Sequence, residues 1–158
     1  MEEPTITRKH GLFSMTCGVS INIRAHADRV WTLLTDAKDF PRWNSTVTSV
    51  EGQIREGERL RLRVPGTDRV FTPEVSGVVL NEHMVWTGGF APLFKGVRIF
   101  DLRRCSNNST DFAMEEHFSG LMLPVVKSSL PNFGPVFTRF ANDLKNEAEQ
   151  LNALHSNF

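Results

Sequence analysis

The run Glu115-Glu116-His117 places two carboxylates and an imidazole in consecutive positions, the densest set of chemically capable side chains in the chain. A metal centre needs such groups to converge, but on a strand successive side chains leave by opposite faces, so Glu116 departs from Glu115 and His117. Glu115 and His117 would need His83 from elsewhere, and no local spacing matches a zinc signature. No metal and no other cofactor is expected. Acid–base work on a carbonyl compound needs a proton carrier and a donor for a developing enolate. Tyr is absent, which leaves His, Arg, Asp and Glu for any such role. There is no nucleophile constellation and no glycine-rich phosphate loop, which disfavours nucleotide hydrolysis and nicotinamide chemistry.

Glu116 is the more informative carboxylate because its own face holds Phe112, Met114 and Phe118. Those apolar residues point inward, so parity carries Glu116 inward with them. Buried bare, the group would be costly; it must be paired, protonated or at a wet rim. A two-residue turn at Asn107-Asn108 would set Ile99 opposite Glu116 and put Arg103 on the inward face. A slip of one residue would bring Arg98 there instead. A structural pairing and a ligand-contacting or catalytic role both remain open for Glu116.

The elements that must carry these residues follow from periodicity. Residues 1–13 are polar and aperiodic and read as a loose arm, with one domain over 14–158. Met15, Cys17, Val19, Ile21 and Ile23 alternate with polar neighbours, the pattern of a half-buried strand over 14–23. Ala27, Val30, Trp31 and Leu34 then recur at helical spacing over 26–36, with Asp28 in the first turn. Phe40-Pro41-Arg42-Trp43 predicts a second short helix over 38–43. From 45 to 119 the signal is strand, including 70–80, 83–88, 95–105 and 109–119, joined by turn chemistry such as Pro65-Gly66-Thr67-Asp68. Pro73 marks an edge or a bulge. Arg59, Arg61 and Arg63 alternate with Leu60, Leu62 and Val64 and read as a solvated outer face. Phe133, Phe137, Phe140, Leu144 and Ala148 give a long helix over 133–155 one apolar stripe. An α+β arrangement follows: a curved antiparallel sheet of about seven strands wrapped around a long C-terminal helix, with two short helices after the first strand.

Three stretches carry a family resemblance: residues 21–31 (INIRAHADRVW), Leu34-Thr35-Asp36 through Phe40-Pro41-Arg42-Trp43, and residues 110–120 (TDFAMEEHFSG). In these the chain resembles the START-like superfamily with the helix-grip fold, in particular its polyketide cyclase/dehydrase and lipid transport branch. One departure is His26, which stands where that family commonly has Pro two residues before the acidic position of the first helical turn. The resemblance implies a hydrophobic cavity between sheet and C-terminal helix that binds lipids, sterols, polyketides or hormones, and that in some members catalyses cyclisation. Fold alone does not choose among these. On this reading the ligand-contacting set comprises Trp86, Ile99, Phe112, Met114, Glu116, Phe118, Phe137 and Phe140. Trp86 carries an indole N–H that needs a partner if buried. Gly88-Gly89, Phe90 to Phe94 and Leu121 to Val126 lie outside the regular elements, either as an apolar gate or packed over the open end of the sheet.

Composition bounds the partners. The chain has 158 residues with 18 Lys plus Arg against 18 Asp plus Glu, so no global field draws nucleic acid or an anionic surface. Exposed aromatics interleaved with basic residues are also wanting for nucleic acid. Cys17 and Cys105 are too few for a disulfide scaffold and fit a reducing cytosol. The acidic N-terminus is unlike a signal peptide, and no apolar run approaches the ~20 residues of a membrane helix. A cytoplasmic location without stable membrane insertion is expected. The function expected is binding, or transport, of a small hydrophobic or amphipathic molecule. A polyketide cyclase/dehydratase-like enzyme and a chaperone-activator-like interaction module that uses the arginine face are the alternatives.

Overall fold

Apolar alternation and turn chemistry build most of the sheet. The computed structural model describes residues 2–156, and the side-chain surroundings of residues 2–150. Along the chain run β1 (Thr5–His10), β2 (Ser14–Ile23), α1 (Ala27–Thr35), α2 (Phe40–Trp43), β3 (Ser49–Glu51), β4 (Arg61–Arg63), β5 (Glu74–Val79), β6 (His83–Phe90), β7 (Phe94–Arg104) and β8 (Thr110–Ser119). Then come α3 (Leu123–Val126), a 3₁₀ turn (Lys127–Ser129) and the long α4 (Phe133–Ser156). Six strands form one antiparallel sheet in the order β1-β2-β8-β7-β6-β5, and β3 pairs with β4 apart from it.

Four expectations need correction. Residues 1–13 are not a loose arm throughout: Thr5–His10 pair with Met15–Ser20 of β2. The main sheet has six strands, not about seven, because β3 and β4 form their own ribbon. Leu123–Val126, expected outside regular structure, is a helical turn that begins with Pro124 near its N-terminus, where its missing N–H costs nothing. Finally, the β7–β8 hairpin closes on three residues, not two. Cys105 N–H donates to Ser109 O at 2.9 Å, and Asn108 takes a left-handed φ of 60°, a geometry Asn tolerates well in a three-residue loop. The extra residue shifts the register by one, so Arg98, not Ile99, faces Glu116.

The core lies between the inner face of this sheet and the stripe of α4. Every second residue of β2 from Met15 to Ile23 is buried, as are Met84 and Trp86 of β6, Phe100 and Leu102 of β7, and Phe112, Met114 and Phe118 of β8. Phe140 sits at the centre, its ring 5.9 Å from Trp43, 6.0 Å from Phe40, 6.2 Å from Phe100 and 6.1 Å from Phe112, the last stacked. Offset and edge-on rings at these spacings add attraction beyond their burial. The middle of α4 is tied down by polar contacts: buried Lys145 donates to Asn22 O at 2.8 Å and to Glu149 at 2.5 Å, and Asp143 accepts from Ser45 N–H and Oγ–H. Arg59, Arg61 and Arg63 are exposed while Leu60 and Leu62 are buried, the alternation expected of an outer face. Phe140→Ala removes the hub of four ring contacts, and we expect it to cost about 3–5 kcal/mol of unfolding free energy in urea titrations. A loss below about 1 kcal/mol would contradict the central placement of this ring.

Candidate functional site

Strand register gathers polar groups into one row on the inner face. Arg8 pairs with Cys17, Cys17 with Glu116, Glu116 with Arg98, and Arg98 with Trp86. The row crosses the sheet under the first turn of α4, where the apolar stripe of that helix begins. Arg98 Nε donates to Glu116 Oε2 at 2.5 Å, with side chains only 17% and 14% exposed. The Arg98 guanidinium also lies 5.3 Å from the centre of the Phe137 ring, a cation–π contact that strengthens as water is excluded. At the far end Arg8 Nη2 donates to Asn132 Oδ1 at 3.0 Å and rests against Gly134, where a Cβ would meet the guanidinium. Between the two arginines sits Cys17. Burial pushes its thiol above the usual range, Arg8 pulls it back, and Glu116 raises it further.

Beside the row a pocket of about 190 Å³ opens between β1, β2 and the segment leading into α4. Met15, Cys17, Leu130, Pro131 and Phe133 supply apolar walls, while Arg8 and Lys127 supply the cationic side with His10 beside them. No Asp or Glu lines it.

The residues singled out from sequence divide into three groups. Trp86, Phe112, Met114, Phe137 and Phe140 are all buried and pack against other core side chains. The Trp86 ring lies 4.9 Å from Phe100 and 6.2 Å from Phe40, and its buried indole N–H has no hydrogen-bond partner. Glu116 faces inward as parity requires, and Phe118 stacks between Phe94 and Phe133, with ring centres 5.8 and 5.0 Å away. Ile99 is the correction: the shifted register puts it opposite Glu115 on the outer face. Arg103 goes to that face too and pairs there with Asp111. Among the described residues no group of three or more His, Cys, Asp or Glu comes together. Glu115 instead bonds His117 at 3.1 Å, His117 bonds Thr16 at 3.0 Å, and His83 bonds Asp101 at 2.6 Å, all on the outer face.

Arg8, His10 and Lys127 were missed from sequence. Arg8 and His10 lie in the segment read as an arm, and within their strand, Thr5–His10, Ile6 is the sole large apolar residue and no alternation shows. The one available signal was the β-branched triplet Thr5-Ile6-Thr7 ahead of the turn residue Gly11.

An antiparallel sheet that carries a long C-terminal helix on one face, with two short helices inserted after an early strand, is the helix-grip architecture of START-like proteins. The family described as polyketide cyclase / dehydrase and lipid transport matches residues 16–151, and the chain belongs to that family. Solved structures agree on the fold. A START superfamily protein from Mycobacterium smegmatis is 18% identical with a TM-score of 0.64, covering 86% of this chain and 98% of its own. A Rhodobacter sphaeroides protein is 14% identical with a TM-score of 0.69, covering 94% and 99%. A norcoclaurine synthase mutant from Thalictrum flavum, solved with a transition-state analogue, is 13% identical with a TM-score of 0.69, covering 91% and 99%. No curated protein matches the sequence.

The row makes opposed predictions for the Cys17 thiol. In a Cys105→Ser background, Glu116→Gln removes a negative neighbour and lowers the Cys17 pKa, so iodoacetamide alkylation reaches half-maximal rate at lower pH. Arg8→Ala removes the positive neighbour and moves that midpoint upward. Shifts of the same sign in both variants would contradict the arrangement. Glu116→Gln also strands the largely buried Arg98 and should cost roughly 3 kcal/mol of stability, read by thermal or urea unfolding.

Proposed function

We propose that the protein binds one small amphipathic acid in the pocket between β1, β2 and the entry to α4, with the carboxylate toward Arg8 and Lys127 and the apolar part against Met15, Leu130 and Phe133. The observation that carries this reading is the lining itself: apolar walls, a cationic side and no acidic residue. An anion is attracted there by local charge although the chain as a whole is neutral. The volume of about 190 Å³ lies below the ~300–1,000 Å³ of pockets for drug-sized ligands, which favours a short alkyl or aryl acid over a sterol or a full-length lipid. The family description names lipid transport beside cyclase chemistry, and ligand binding between sheet and helix fits both.

Binding is favoured over acid–base catalysis because the inward carboxylate is already engaged. Glu116 is held by Arg98 at 2.5 Å and does not line the pocket. The arginine face is likewise partly neutralised, Arg59 by Glu74 at 3.4 Å and Arg61 by Glu51 at 3.3 Å, which weakens the case for a basic protein-docking stripe.

Octanoate should slow alkylation of Cys17 in the Cys105→Ser protein, while octylamine, equal in length and opposite in charge, should not. Arg8→Ala should raise the octanoate concentration for half-protection about tenfold, or 1.4 kcal/mol. Equal protection by acid and amine, or none by either, would contradict the proposal.

A further inference from the structure

The apolar loops read from sequence either as a gate or as a cover packed over the open end of the sheet; Leu123 and Phe94 do pack against Met15 and Phe118, while much of the rest faces solvent. Three loops meet at one end of the sheet and are hydrogen-bonded together: Gly120 N–H donates to Phe13 O at 3.1 Å, Leu121 N–H to Pro92 O at 3.0 Å and Met122 N–H to Leu93 O at 2.9 Å. Each turns large apolar side chains to solvent. The β1–β2 loop presents Leu12 and Phe13, the β6–β7 turn presents Phe90, 82% exposed, and Leu93. The β8–α3 segment adds Leu121, Met122 and Val125, the last 69% exposed, while Leu123 alone turns in and is fully buried. Single exposed apolar residues are ordinary, whereas a cluster on three joined loops marks an interaction surface.

Charge identifies the occupant. Residues 7–22, 84–100 and 117–134 contain no Asp or Glu, although the chain as a whole carries 18 acidic residues against 18 Lys and Arg. Lys9 flanks the first loop, Lys95 the second and Lys127 the third, so each apolar tip has a lysine close to it in the chain. An acidic protein surface would meet the lysines but not satisfy the tips, and a second copy of the chain would bring cations against cations. We infer that this end of the molecule docks on the surface of an anionic lipid bilayer, the apolar loop tips entering the acyl boundary and the lysines meeting headgroups. Among the described residues no helix is long and apolar enough to cross a membrane, and docking of this kind needs none. Arg8, His10 and Lys127 also line the pocket, so docking brings its mouth to the lipid surface. The inference goes beyond ligand binding and stands without it.

Co-sedimentation with vesicles tests it. The protein should pellet with vesicles of equal parts phosphatidylcholine and phosphatidylglycerol, remain in the supernatant with phosphatidylcholine alone, and be released as salt rises. Lys9→Glu with Lys95→Glu should lower partitioning at least about tenfold, each cation near the surface being worth roughly fivefold. Leu12→Asp with Phe90→Asp should abolish pelleting while leaving the melting temperature and octanoate protection of Cys17 unchanged, since neither residue is buried or lines the pocket. Three results would overturn the inference: no pelleting with the mixed vesicles, equal pelleting with the neutral ones, or a dimer in sedimentation velocity that Phe90→Asp dissolves.

Discussion

Burial of the aromatic stripe of α4 on the inner face of the sheet is the contact on which the other features depend. Phe137, Phe140, Leu144 and Ala148 are at most 1% exposed, and Phe140 touches rings from α2, β7 and β8. Because the long helix must lie along this face, the strands beneath it have to present an inward row every second residue. That requirement makes β2 apolar at every odd position from 15 to 23 and fixes which residues of β8 turn in. Phe40, Trp43, Trp86, Phe100, Phe112 and Phe140 meet in a cluster of rings 4.8 to 6.2 Å apart.

The polar row is a consequence of where the stripe begins. α4 starts at Phe133 with Gly134 and Pro135, and sheet positions facing this first turn have less helix to pack against. Arg8, Cys17, Glu116 and Arg98 occupy them. Pairing Glu116 with Arg98 settles the inward carboxylate, which would be prohibitive if left alone. Arg8 is held by Asn132 next to Gly134, whose missing side chain admits the guanidinium, and its charge is turned toward the adjoining pocket.

Most of the architecture was legible in the sequence because burial of one face imposes a period, and the periods of β2, β8, α1 and α4 are clean. Parity alone carried Glu116 inward. Its partner was not legible, because register depends on whether the Cys105–Ser109 turn holds two or three loop residues, and Asn108 accepts the left-handed conformation without being glycine. The one-residue difference exchanged Ile99 for Arg98 and sent Ile99 to the outer face. β1 was hidden for another reason. It is an edge strand whose exposed positions outnumber its one apolar anchor, Ile6, so its order comes from pairing with β2 and not from its own pattern. The pocket was lost with it, since Arg8 and His10 belong to that strand.

Four of the five methionines, Met15, Met84, Met114 and Met122, occupy separate parts of the structure. Met15 lines the pocket, Met84 and Met114 are fully buried in the core, and Met122 lies at the exposed apolar end. Methyl-labelled methionine NMR during an octanoate titration therefore reads the ligand's position directly. The account predicts a saturable shift at Met15 with Met84 and Met114 unmoved. Large shifts at Met84 and Met114, or no shift at Met15 at saturating octanoate, would contradict it.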